Sequence, residues 1–270
     1  MNITFLGGGN MASALIGGLL NQGFPAGQLT VIEISAEGRA RLEEKFAVRC
    51  YDTPQADALD CDVLLLAVKP QQMRAACAPL LAHLDQQLLI SIAAGLRLAD
   101  LSRWLGGYGK LIRVMPNTPA LIGAGVTGLF ALPGVSEDEK RQAEQVMQAV
   151  GSTVWVDDES RMDAVTAISG SGPAYVFLFI EALQQAAGEL GFTPQAARQL
   201  ALDTVLGSAR LAAQSADPAS VLRERVTSKG GTTEAALRVM DERALKDIVT
   251  AAAAAACARS TELGDLLGKD

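Results

Sequence analysis

At 270 residues the chain has room for two domains and a sizeable core, and with 49% hydrophobic but only 4% aromatic residues that core must be aliphatic and alanine-rich. A formal charge of −7 argues against nucleic acid or an anionic membrane as partner, so an anionic ligand must be held by local dipoles and a few specific side chains. Scattered cysteines without C-x-x-C spacing, a single histidine, and no basic-plus-apolar leader or apolar run of about 20 residues predict a cytoplasmic protein with reduced thiols, no metal site and no membrane span.

The first element is an apolar strand over residues 2–6, which runs into Gly7-Gly8-Gly9 and then into an alanine-rich helix. Gly7, Gly9 and Ala12 take the G-x-G-x-x-G/A places of a dinucleotide-binding turn. Gly7 permits the tight turn and Gly9 lets the backbone approach a pyrophosphate. Ala12 lets the helix lie close to the strand, which aims the N–H groups around Asn10 and Met11 at the phosphates. A second strand, Leu29–Glu33, ends in a carboxylate about twenty residues beyond the turn, where such folds hold the adenosine ribose. Glu33 there accepts from ribose hydroxyls and repels a 2′-phosphate, which predicts NAD in preference to NADP. No arginine follows it directly, because Ile34 stands there; the nearest, Arg39, lies further along a polar helix over 36–46.

A third strand over 62–68 leads into Ala67-Val68-Lys69-Pro70, at the strand end where doubly wound sheets bind ligands. Lys69 is placed near nicotinamide or phosphates, and Pro70 fixes the loop. After a helix near 71–83, in which His83 reads as a surface residue, the strand over 87–92 closes on Ser91-Ile92-Ala93-Ala94-Gly95, small residues that leave room for a planar ring. The strand over 110–114 is followed by the twice-proline loop Met115-Pro116-Asn117-Thr118-Pro119, in which Asn117 offers an amide donor. A strand over 126–130, a helix opened by the capping box Ser136-Glu137-Asp138-Glu139 and ending at Gly151, and a strand over 152–156 complete the pattern. Strands alternating with helices predict α/β architecture with a parallel, doubly wound sheet. Each loop also has a purely structural explanation: an ordinary βα turn, a solvated strand-end carboxylate, a helix-starting proline. On these residues alone both readings stand.

From Arg161 onward the pattern is helical almost throughout, which divides the chain into residues 1–158 and 159–270. Ser169-Gly170-Ser171-Gly172-Pro173 reads as a flexible, hydroxyl-rich break before a helix, and Thr227-Ser228-Lys229-Gly230-Gly231-Thr232-Thr233 as another. Both offer free N–H groups and hydroxyls at a positive helix end, suited to a carboxylate, and both are also ordinary helix–helix turns. Apolar residues spread widely around these helices, with the alanine run 251–256, predict burial against another subunit.

Together the segments 5–11, 67–70, 91–95, 113–119, 169–176 and 226–233 resemble the pyrroline-5-carboxylate reductase family, in order and over nearly the whole chain. The resemblance implies a Rossmann-type N-terminal domain and an all-helical C-terminal dimerisation domain. It further implies homodimers, possible assembly into a decamer of five dimers, and reduction of 1-pyrroline-5-carboxylate to L-proline with NADPH or NADH. By the same resemblance Gly7, Gly9, Asn10, Met11, Glu33, Ala67, Val68, Lys69, Pro70, Ala93, Ala94, Gly95 and Asn117 bind cofactor. Ser228, Gly230, Gly231, Thr232 and Thr233 hold the substrate, Thr233 also reaching the ring nitrogen as the catalytic hydroxyl, and Glu159 belongs to the substrate site. Lys229 stands where many members have proline. Glu33-Ile34 replaces the small polar residues and arginine of NADP-preferring members, which predicts dual use or NAD preference. Reducing a protonated imine needs no strong base, so the scarcity of histidine is no handicap. Two rivals share the plan. A β-hydroxyacid dehydrogenase needs a lysine on the first long helix of the second domain, and residues 169–191 contain none. A nucleotide sensor would bind NAD(P) without turnover.

Overall fold

Short aliphatic runs separated by helices build a sheet in the computed structural model, which describes residues 1–269. In chain order they are β1 (Ile3–Leu6), α1 (Asn10–Asn21), β2 (Leu29–Ile32), α2 (Ala36–Phe46), β3 (Arg49–Tyr51), α3 (Ala56–Leu59), β4 (Val63–Leu66), α4 (Pro70–Cys77), β5 (Leu88–Ser91), α5 (Leu98–Trp104), β6 (Leu111–Met115), β7 (Gly125–Ala131), α6 (Glu137–Gln148) and β8 (Gly151–Trp155). Helices follow: α7 (Arg161–Val165), a π turn (Thr166–Gly170), α8 (Gly172–Glu189), α9 (Pro194–Gln214), α10 (Ala219–Arg225), α11 (Thr232–Glu242) and α12 (Leu245–Leu267).

The strands form one sheet in the order β3-β2-β1-β4-β5-β6-β7-β8. Winding reverses between β1 and β4, and ligands of such sheets lie beyond the carboxyl ends of the strands at that reversal. Register brings those ends level, Leu6 beside Ile32 and Leu66, and Leu66 beside Ser91. Successive residues of β4 go to opposite faces: Val63 and Leu65 join the core that includes Leu15 and Leu19 of α1, Leu64 and Leu66 the core that includes Met73 of α4 and Leu101 of α5. Both faces are therefore covered, as a parallel sheet requires.

The sheet departs from the all-parallel expectation at one pair, β6 and β7, which run antiparallel. The segment between them, 116–124, holds only a 3₁₀ turn, and a parallel return needs a crossover of roughly a dozen residues or more. Strand β3, three residues at the sheet edge, is too short to give a periodic signal in the sequence.

The 169–173 segment is also corrected. It is wound, not open: Ser171 N donates to Thr166 O at 2.8 Å, one residue wider than an α turn, and Ser169 Oγ bonds back to Val165 O at 2.9 Å. Its N–H groups are therefore not a free nest. The π turn also makes residues 161–189 one helical stretch, long and apolar enough by length and composition to cross a membrane.

Two compact units result. One comprises Met1–Ser171 with the stretch from Ala255 onward, the other Gly172–Ala254. The expected boundary at 158/159 lies inside the first unit, where Val165 of α7 packs against Gly128 of β7. The cysteines are free, and burial pushes the thiols of Cys50 and Cys61 up to about 11 and that of Cys77 to about 12.

Candidate active site

The glycine turn sits where β1 ends. Gly7 adopts φ +103°, and a Cβ there would stand 2.9 Å from the Ala67 carbonyl oxygen, so only glycine lets this turn touch the loop after β4. Gly9 caps α1 with extended backbone and no side-chain hydrogen bond, and the first turn of the helix carries no acidic residue. The N–H groups at its start thus have no internal anion. A Cβ at Gly9 would meet nothing within 4 Å. Open space above unclaimed N–H groups fits a dinucleotide pyrophosphate.

Glu33 follows β2 and turns toward this same place. Its Oε2 accepts from Gly8 N and its Oε1 from Ser35 N, both at 2.9 Å, so the carboxylate is fixed in orientation and bridges the ends of β1 and β2. Gly38 leaves it room: a Cβ there would stand 2.9 Å from Glu33 Cγ. Sequence reasoning set Arg39 apart from this loop, yet the helix folds it back. Its Nη1 donates to the carbonyls of Glu33 at 2.8 Å and Ile34 at 3.0 Å. The missed signal is helical spacing, because a residue one turn into α2 reaches the loop that precedes it.

Further along the same edge, Ala67, Val68 and exposed Lys69 lead into Pro70 at the first position of α4. Ala93 is buried, Ala94 exposed and Gly95 turned at φ +77° in the loop after β5. The structure brings these residues, the glycine turn and Glu33 to neighbouring strand ends. Asn117 and Glu159 have protein partners. Asn117 donates to Ser169 O at 3.1 Å and accepts from Val126 N at 2.9 Å. Glu159 Oε1 accepts from Leu98 N at 2.8 Å and pairs with the buried Arg113 at 3.2 Å. A cavity of about 950 Å³ lies elsewhere, along the flank of α1 between Arg41, Phe46 and Ile122, and shares only Asn10 with the residues singled out from the sequence. The strand-end site has the open helix start beside a fixed carboxylate; that cavity is lined by Arg41, Lys45, Asn21 and Gln22 and lies off the strand ends.

In the other unit the 227–233 loop forms the start of α11. Gly230 takes φ +74°, Gly231 N donates to Ser228 O at 3.0 Å, and Gly231 caps the helix without a side-chain bond. Ser228, Lys229 and Thr232 are exposed and Thr233 is half-buried. Gly230 N is held by the helix's own Glu234 at 2.6 Å. The remaining hydroxyls and helix-start N–H groups suit a carboxylate.

Relatives that are 33% to 45% identical over nearly the whole chain are named pyrroline-5-carboxylate reductase. A family model for pyrroline-5-carboxylate reductase dimerisation matches residues 159–263, and one described as NADP oxidoreductase, coenzyme F420-dependent, matches residues 2–95. The chain is 45% identical over 268 residues to a pyrroline-5-carboxylate reductase of Pseudomonas aeruginosa, covering 99% of this chain and 98% of that one. Among solved structures, a pyrroline-5-carboxylate reductase from Coxiella burnetii superposes with a TM-score of 0.94 at 42% identity, covering 97% and 98% of the two chains. A Plasmodium falciparum pyrroline carboxylate reductase with NADP bound superposes at 0.85 with 30% identity, covering 98% of each.

Proposed function

The chain belongs to the pyrroline-5-carboxylate reductase family, and we propose that it reduces 1-pyrroline-5-carboxylate to L-proline with NAD(P)H, the last step of proline biosynthesis. The observation that carries the reading within the chain is a glycine turn with open space and unclaimed N–H groups, held beside a fixed carboxylate.

The nicotinamide cofactor supplies the hydride when bound. Gly7, Gly9, Asn10 and Met11 hold its pyrophosphate, while Glu33 reads the adenosine ribose. Arg39 offers a cation on the backbone of the same loop, which favours use of both NADH and NADPH. Ala67, Val68, Lys69 and Pro70 line the middle of the site, and Ala93, Ala94 and Gly95 leave space for the nicotinamide ring. Asn117 and Glu159 are assigned to holding the loops in place, given their protein partners.

Ser228, Gly230, Gly231 and Thr232 are assigned to the substrate carboxylate, with Lys229 as an added cation. Thr233 bonds the ring nitrogen through its hydroxyl. The imine enters protonated, so hydride addition to carbon leaves a neutral amine and the protein has no proton to remove. Catalysis then rests on orientation in a sheltered site. Thr233→Ala is expected to lower turnover about 10- to 100-fold with unchanged cofactor affinity, read by steady-state kinetics beside a fluorescence titration. Full turnover in that variant removes Thr233 from the mechanism.

The family's dimerisation region, which covers residues 159–263, supports a homo-oligomer. We assign homodimers through the helical unit, five of them forming a decamer, in the cytoplasm and without nucleic-acid or membrane partners. The exposed apolar side chains of α8 are read as a subunit face and not as a span, in keeping with that region.

A further inference from the structure

The loop assigned to the nicotinamide end, 91–97, is gripped from outside by the last turns of α12. At Gly264 a Cβ would stand 2.9 Å from the Gly95 carbonyl oxygen, too close for any side chain without movement of the main chain. A Cβ at Gly95 would in turn lie 3.4 Å from Leu267 Cδ1 and 3.7 Å from Gly264 N. The helix therefore rests directly on the backbone of the loop.

A second anchor fixes where the helix can lie. Asp163 of α7 accepts from Ser260 Oγ at 2.7 Å and Thr261 Oγ1 at 3.0 Å, and lies 3.6 Å from the buried Arg113. Arg113 also pairs with Glu159, whose Oε1 holds Leu98 N at the far end of the same loop. The loop is thus fixed at Gly95 by α12 and at Leu98 by Glu159, and both supports meet at Arg113. The ion pair Arg97–Asp265, at 2.7 Å, has side chains 40% and 56% exposed and adds little by comparison.

We propose that the C-terminal turns of α12, through Gly264 and Leu267, are positioning residues for the nicotinamide end of the cofactor site. A helix lying on the loop's carbonyl sets the floor on which the ring rests, and hydride transfer is sensitive to sub-ångström displacement of that ring. The proposal rests on the assignment of Ala93, Ala94 and Gly95 to the nicotinamide.

The test uses the full-length protein and measures affinity for NADPH and for adenosine 2′,5′-bisphosphate, which carries the adenosine end alone, beside kcat and KM with pyrroline-5-carboxylate. Gly264→Ala should weaken NADPH and lower kcat by about tenfold, leaving bisphosphate affinity and the substrate KM unchanged. Leu267→Ala, which introduces no clash, should show the same selective loss if Gly264→Ala does not fold. Asp265→Asn should change neither affinity by more than about twofold. Equal loss for both ligands, or no loss in either variant, overturns the proposal. Ala94→Leu separates the two layers. If it weakens NADPH while Gly264→Ala and Leu267→Ala are inert, the clamp is wrong. If it leaves NADPH affinity intact, the loop does not hold the nicotinamide, and both assignments fall.

Discussion

Gly9 and Gly7 sit two residues apart and do different work. At Gly7 the backbone is left-handed and the Ala67 carbonyl blocks any side chain, so the residue serves the fold. At Gly9 the backbone is extended with φ −69° and the space is empty, so the fold does not need glycine there. Gly9→Ala should therefore leave the melting temperature unchanged and weaken NADPH binding by about tenfold or more, since the added methyl fills the space assigned to the pyrophosphate. A thermal melt beside a fluorescence titration checks both halves; unchanged affinity would show that the phosphates lie elsewhere. The glycine turn and Glu33 were legible in the sequence because they are local: a strand, a turn and a carboxylate at fixed spacing. Arg39 was not, because its role depends on α2 turning it back over the loop it follows.

At the scale of elements, one buried cation joins three of them. Arg113 on β6 pairs with Glu159 after β8 and lies beside Asp163 on α7, while Ser260 and Thr261 tie α12 to the same carboxylate. Removing Asp163 leaves the buried Ser260 hydroxyl without its partner and the buried Arg113 with Glu159 alone. Asp163→Ala should cost about 3 kcal/mol in denaturant unfolding, well above an exposed ion pair. A change below about 0.5 kcal/mol would mean the network is not a support. The capping box of α6 was fully readable, and the structure shows both its reciprocal bonds. The π turn was not: serines and glycines before a proline signal a break, whereas the main-chain bond from Ser171 N to Thr166 O keeps the helix wound, with the Ser169 hydroxyl turned back on Val165 O. Nor did residue spacing alone reveal the Arg113 network, whose members come together only when β6, α7 and α12 pack.

For the whole molecule, the telling feature is apolar surface. Phe177, Leu178 and Phe179 of α8 are 59%, 66% and 44% exposed, and Leu206 and Leu211 of α9 are also uncovered. A surface of this kind marks a partner face. Replacing both Phe177 and Phe179 with Asp should lower the molar mass measured by light scattering to that of smaller assemblies and reduce activity; an unchanged mass would place the subunit contact on another surface. Wide apolar coverage of the helices was readable in the sequence, and the structure leaves many of those side chains exposed. Their count, the division of α12 between two units and the short β3 needed the folded chain. The measurement that reaches the central claim is NADH and NADPH oxidation by the purified protein, with and without pyrroline-5-carboxylate, with proline quantified in parallel. Oxidation that depends on the imine and yields proline in equal amount is expected. Binding of either cofactor with no imine-dependent oxidation would contradict the reductase assignment.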